Sequence, residues 1–121
     1  MPTWELHAAI ERLATLNDDP AAGGITREVF TPTYRAAAEQ VAEAMEAAGL
    51  AVRTDAFGNL RGRWQGAEPG APAVLTGSHF DTTLNAGRYD GVLGVLGGIA
   101  AVQRLRAGGF AHRAKVVVRW V

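Results

Sequence analysis

PAVLTGSHFDTTLNAGRYDGVLGVLGGIA, residues 72–100, decides how the fold is read. Its middle, GSHFDTTLNAGRYDG (77–91), holds one histidine, two aspartates and three glycines between two apolar runs. APAVLTGS (71–78) reads as a strand, apolar on both faces and therefore expected at the centre of a sheet. From Gly91 to about Leu105 the pattern is helical and apolar nearly all round until Gln103, as in a buried helix. Gly94, Gly97 and Gly98 each cost such a helix about 1 kcal/mol relative to Ala, so close approach to a neighbouring backbone is expected there. Gly108-Gly109 stop the helix, and AKVVVRWV (114–121) supplies another apolar strand. Strand, helix and strand make a right-handed crossover in a parallel or mixed sheet. The polar segment then lies at the C-terminal edge of the first strand, where open α/β sheets place their sites.

Upstream, Leu6, Ile10, Leu13 and Leu16 repeat at helical spacing with Thr3 available as N-cap. The segment NDDPAAGGITREVF (17–30) reads as a loop. Thr31-Pro32 opens a second helix as N-cap and first helical residue. Tyr34, Ala38, Val41, Met45 and Ala48 line one face of it, and Gly49 ends it. LAVRTD (50–55) and NLRGRWQG (59–66) form a hairpin about Phe57-Gly58. The order is α, α, β, β, β, α, β, an α/β chain of one domain.

Composition narrows the function classes. Twelve basic residues balance twelve acidic ones, so no overall field favours nucleic acid or an anionic membrane. No cysteine is present, which excludes disulfides, thiolate metal sites and cysteine nucleophiles and fits a cytoplasmic protein. The N-terminal stretch carries Glu5, His7, Glu11 and Arg12 and is not a signal peptide. No apolar run is long enough to span a bilayer.

His79 and Asp81, two residues apart just past a strand, project from the same side of an extended chain. A neutral imidazole is a common ligand for zinc and similar ions, and a neighbouring carboxylate can take its other N–H and fix the tautomer. The plainer alternative is a partly buried histidine bonded to a local aspartate. Asp90 precedes a helix, and on local grounds its first role is that of N-cap with Gly91 as the first helical residue. GVLGVLGG lacks the Lys-Ser/Thr of a phosphate loop, and Ser78 is not in a nucleophile elbow. His7 and His112 are expected to be solvated, and the three tryptophans to fill core or interface.

GSHFDTTLNAGRYDGVLGVL (77–96) resembles the first metal-binding segment of the M20-type metallohydrolases. It is nearest the branch of allantoate amidohydrolases and N-carbamoyl-L-amino-acid hydrolases, with its G-S-H-x-D-[TS] and N-x-G-x-[YF]-D-G runs. GGITREVFTPTYRAAAEQVAEAMEAAGLAVRTDAFGNLRGRW (23–64) resembles the same branch, including its T-R and T-P-x-[YH]-R steps and its D-x-x-G-N hairpin. The segment departs from the commonest pattern at Thr83 and Ala86, neither of which supplies a ligand.

The resemblance implies an aminopeptidase-like, three-layer α/β catalytic domain with a mixed sheet. Residues 1–121 would be its incomplete N-terminal portion, lacking the lid or dimerisation domain. It implies two divalent ions, zinc or manganese, in the complete enzyme. His79 would ligate one, Asp90 would bridge both, and Asp81 would orient His79 from behind. A Glu-Glu pair beyond the last strand would provide a ligand and the general base, so the chain alone is expected to be inactive. The implied reaction is metal-dependent hydrolysis of a linear amide or ureido C–N bond in a small substrate of allantoate or N-carbamoyl-amino-acid type, by a homodimer. A peptidase of the wider family is the alternative enzyme, and a non-catalytic interaction module that keeps the fold is the alternative class.

Overall fold

A computed structural model of the chain describes residues 3–113 and 115–120. Helix α1 spans Thr3–Ala14, α2 Pro32–Ala47 and α3 Val92–Ala107; strands β1 to β4 are Ala51–Thr54, Leu60–Trp64, Val74–Ser78 and Val116–Trp120. The expected element order is therefore present, although Ala114 and Val121 of the last predicted strand lie outside the described residues. Helix α1 includes Thr3 rather than starting after it. For α2 the expected cap is in place: Thr31 Oγ1 accepts from the Tyr34 N–H at 3.1 Å, with Pro32 as first helical residue. At its other end Leu50 N–H bonds to Met45 O and Gly49 N–H to Glu46 O, a Schellman closure that needs the positive φ of Gly49.

The four strands form one mixed sheet in the order β1-β2-β4-β3. β1 and β2 are an antiparallel hairpin, β2 and β4 are antiparallel, and β3 and β4 are parallel. Asp55 closes the hairpin, its Oδ1 accepting from the N–H groups of Phe57 and Asn59.

One expectation about strand placement is corrected. Among the described residues β3 is an edge strand rather than a central one, with Val74 58% and Leu75 61% exposed. β4 holds the interior position, and Val118 is fully buried. Both strands open on an apolar run, Val74-Leu75 and Val116-Val117-Val118, and hydrophobicity alone does not say which of two such runs receives a partner on each side.

All three helices contribute to a single core with one face of the sheet. Leu13, Val41, Met45, Leu60, Phe80, Val95, Ile99 and Val118 belong to that cluster. Among the described residues, then, helices cover one sheet face; residues of the other include Arg61, Arg63, Leu75 and Val117, which line a shared shallow hollow. α3 is buried along Val92, Val95, Leu96, Ile99 and Val102, but Leu93 is 49% and Leu105 40% exposed, so it is less enclosed than its composition suggests. The close approach expected of its glycines occurs at Gly94, where an added Cβ would sit 2.7 Å from Ser78 Cβ on β3. A Cβ added at Gly97 would meet nothing within 4 Å beyond its own helix.

Candidate functional site

His79 follows β3 directly and Asp90 stands two residues before α3, so the parallel β3–α3–β4 unit carries both at the C-terminal end of β3. The loop between them folds back and brings the two side chains together. His79 Nε2 lies 3.3 Å from Asp90 Oδ1. On the other side of the ring, Nδ1 lies 3.0 Å from the main-chain carbonyl of Asp81 and 3.4 Å from its Oδ1. All three predicted residues thus meet, with an amendment for Asp81: its carbonyl is the nearer partner and its carboxylate stands behind.

Asp90 does not cap α3, against the expectation from local sequence. The capping position belongs to Gly91, with φ 72° and ψ −44°, and α3 begins at Val92. Asp90 is therefore one position too early to cap, and its carboxylate faces His79 instead. Gly91 is required twice over. Its backbone conformation is one that residues with a Cβ rarely adopt. An added Cβ would also lie 2.3 Å from His79 O and 2.5 Å from His79 Cε1 and Nδ1. The imidazole packs on this glycine.

The distances indicate what the arrangement can hold. A separation of 3.3 Å exceeds the usual range for an N–H···O hydrogen bond. It equals the ligand-to-ligand spacing of about 3.3–3.5 Å that tetrahedral zinc sets with bonds of about 2.0–2.2 Å. With Nδ1–H donated to Asp81 O, Nε2 carries the lone pair and faces Asp90. One imidazole nitrogen and one carboxylate oxygen form a donor set that suits zinc or manganese. His79 and Asp90 side chains are 44% and 62% exposed, open to a ligand. Among the described residues, however, no three His, Cys, Asp or Glu side chains are grouped to hold a metal ion. Asp81 and Asp90 approach opposite ring nitrogens, so only the Nε2 side can share a cation.

The 17–30 loop packs against this segment and fixes its course. Ile25 and Ala86 pair through two backbone hydrogen bonds of 2.8 Å, and Asn85 N–H donates to Thr26 Oγ1 at 2.9 Å. Phe80 turns inward and stacks on Tyr34, with ring centroids 4.8 Å apart. Burial and the nearby Asp81 carboxylate raise the Tyr34 phenol above its ordinary range. At the far end of the segment, Arg88 makes a two-pronged contact with Glu11 of α1, 2.7 Å to each oxygen.

The sequence reading assigned no role to Arg27, which is 1% exposed and bonded into this segment. The only signal of it was its place in the T-R step of the resemblance. His112 is also corrected: it is half-buried against Trp64, ring centroids 3.8 Å apart, rather than solvated.

A mixed sheet with a crossover helix carries a histidine–carboxylate cluster at the C-terminal end of its parallel pair, where open α/β sheets place their sites. No family model matches the sequence. Curated relatives do. The chain is 45% identical over 105 residues to ureidoglycolate hydrolase of Arabidopsis thaliana, covering 87% of this chain and 22% of that protein. It is 43% identical over 90 residues to N-carbamoyl-L-amino-acid amidohydrolase of Paenarthrobacter aurescens (74% and 22%). It is 40% identical over 94 residues to allantoate amidohydrolase of Escherichia coli (78% and 23%). Among solved structures, AtUAH in complex with glyoxylate superposes with a TM-score of 0.91 at 41% identity, covering 95% of this chain and 27% of that one. A hydantoinase/carbamoylase family amidase from Burkholderia ambifaria superposes at 0.89 and 35% identity (95% and 28%). The chain belongs to the M20-type family, in its allantoate amidohydrolase and N-carbamoyl-L-amino-acid hydrolase branch. It spans about a quarter of the length of these relatives.

Proposed function

We propose that this chain forms the N-terminal portion of a metal-dependent hydrolase of linear amide or ureido C–N bonds in small substrates of the allantoate or N-carbamoyl-amino-acid type. The carrying observation is the 3.3 Å approach of His79 Nε2 to Asp90 Oδ1 at the C-terminal end of β3. The relatives named for ureidoglycolate, allantoate and N-carbamoyl amino acids support the substrate class.

In this reading His79 and Asp90 would hold a divalent cation, zinc or manganese, and Asp90 would also serve a second one in the complete enzyme. Such a cation supplies Lewis acidity for hydrolysis when bound. The residues of this chain do the holding. The carbonyl of Asp81 accepts a hydrogen bond from His79 Nδ1–H, which would leave the Nε2 lone pair free for the cation. Gly91 leaves room for the ring, and the inward stack of Phe80 on Tyr34 anchors the backbone between His79 and Asp81. The further ligands, the general base and the lid of a homodimeric enzyme belong to sequence beyond these 121 residues.

The test compares the chain with a version extended by the remainder of a relative. Both are given zinc or manganese and assayed for ammonia release from allantoate and N-carbamoyl amino acids. Turnover is expected from the extended version only, lost with His79→Ala. Equal turnover by the short chain, or full activity and metal content in extended His79→Ala, refutes the reading.

A further inference from the structure

Arg27 is a buried cation whose guanidinium, among the described residues, bonds to main-chain carbonyls of two segments, the end of α1 and the stretch after β3. Its Nε donates to Phe80 O at 2.8 Å. Its Nη1 donates to Leu13 O and Leu16 O, each at 2.9 Å. Leu13 is in the last turn of α1, so these acceptors lie at the negative end of a helix dipole, which favours a cation. The main chain of Arg27 completes the clamp: its N–H donates to Thr82 Oγ1 at 2.7 Å, and its carbonyl accepts from Thr82 N–H at 2.9 Å. Thr82 Oγ1 in turn donates to Ile25 O at 3.2 Å. Arg27 therefore grips residues 80 and 82, one on each side of Asp81. Asp81 O is the acceptor that orients the His79 ring.

Burying a guanidinium is costly unless its donors are satisfied. Here desolvation lowers the tendency of Arg27 to stay charged, while the Asp81 carboxylate opposes that effect. An apolar side chain would fill this space without a charge to desolvate. What the planar fork adds is direction, since it fixes Phe80 O and the end of α1 in one geometry.

We propose that Arg27 is a positioning residue for the site: it sets the backbone of residues 80–82 and thereby the tautomer and orientation of His79. The proposal rests on the reading of His79 as a metal ligand only for its functional consequence; the orientation itself is measurable without metal.

The test uses the 121-residue chain, wild type, Arg27→Met, Arg27→Lys and Thr82→Val, with ¹⁵N labelling of the histidine rings at alkaline pH. His79 in the wild type is expected mainly as the Nδ1–H tautomer. Arg27→Met is expected to mix the two tautomers and to weaken the zinc-induced shift of the same resonances about 10–100-fold in affinity. Arg27→Lys, which can reach one carbonyl but not three, should restore the tautomer in part. Thr82→Val keeps the guanidinium and removes one strand of the clamp, so it should shift the tautomer less; it carries the test if Arg27→Met does not fold. A folded Arg27→Met with wild-type tautomer populations overturns the proposal, as does an unshifted Thr82→Val where Arg27→Met fails to fold, or an Arg27→Lys no better than Met. If the wild type holds the Nδ1–H tautomer, Arg27→Met loses it and zinc shifts neither, the positioning role stands and the metal reading falls. If zinc shifts both alike with unchanged tautomers, the metal reading stands and the positioning role falls.

Discussion

Gly91→Ala is the sharpest perturbation of the site, because it adds one carbon where His79 packs. Two costs apply. The backbone at φ 72°, ψ −44° is strained for a residue with a Cβ, by roughly 1–3 kcal/mol. The added carbon, at 2.3 Å from His79 O and 2.5 Å from the ring, forces a shift of the kind that costs about 1–3 kcal/mol in packed interiors. Together they predict a loss of roughly 2–6 kcal/mol. A chain of 121 residues unfolds with an entropy of about 0.25 kcal/mol/K near its midpoint, so each kcal/mol moves Tm by about 4 °C. Thermal unfolding of the variant should therefore fall by roughly 8–24 °C. If the loop relaxes by expelling the ring, the fall is at the low end and the His79 ring resonances move instead. Gly97→Ala is the control: in α3 its added Cβ would meet nothing within 4 Å beyond its own helix, and it should gain up to about 1 kcal/mol in helix propensity. A Gly91→Ala protein that melts within about 2 °C of wild type with an unmoved His79 ring refutes the reasoning.

In the extended enzyme, His79→Ala should remove most bound metal without a large fall in Tm, because the half-exposed ring leaves no core cavity; metal analysis beside a melting curve decides. Asp81→Asn should be much milder, since the main-chain carbonyl that orients His79 survives it; a loss of metal as large as that in His79→Ala would show that the carboxylate, not the carbonyl, does the orienting. Leu75→Lys on the exposed edge strand should leave Tm nearly unchanged and reduce self-association measured by sedimentation, as charge on an edge does. The bond from Arg88 holds the Glu11 carboxyl below its ordinary value of 4.5. A depressed carboxylate stabilises the fold above the unfolded value and loses that contribution as pH falls through the folded one. The stability difference between wild type and Arg88→Met should thus be present at neutral pH and vanish in acid; a difference unchanged down to pH 2 would count against the contact.

The elements were legible because each carries local chemistry: Thr31-Pro32 starts α2, Gly49 ends it, and Asp55 with Gly58 turns the hairpin. The site was legible in part. His79 and Asp90 stand out by residue type and by the pattern that surrounds them. The main-chain carbonyl of Asp81 as the orienting group was not legible, since every residue has one and only the fold selects which faces a ring. Arg27 was hidden for the opposite reason. An arginine in a polar loop looks solvated until α1, the 17–30 loop and the segment after β3 converge on it. The edge position of β3 has the same origin, as sheet order is decided by pairing between residues far apart in sequence.

That sheet order has a consequence for how the chain comes into being. β4 is made after the other three strands, yet it bonds to both β2 and β3, which share no ladder among the described residues. While the chain grows on a ribosome, the β1–β2 hairpin can close by local contacts, but β3 has no strand to pair with until residues 116–120 emerge. The nascent protein therefore carries an unpaired apolar strand through the synthesis of about forty residues, from Val74 onward, and α3 without the part of its packing that β4 supplies. Pairing so distant is slow and exposes such segments to aggregation. A ribosome-stalling series across Val116–Trp120 should show protease resistance arriving in one step, as β4 slots between its two neighbours.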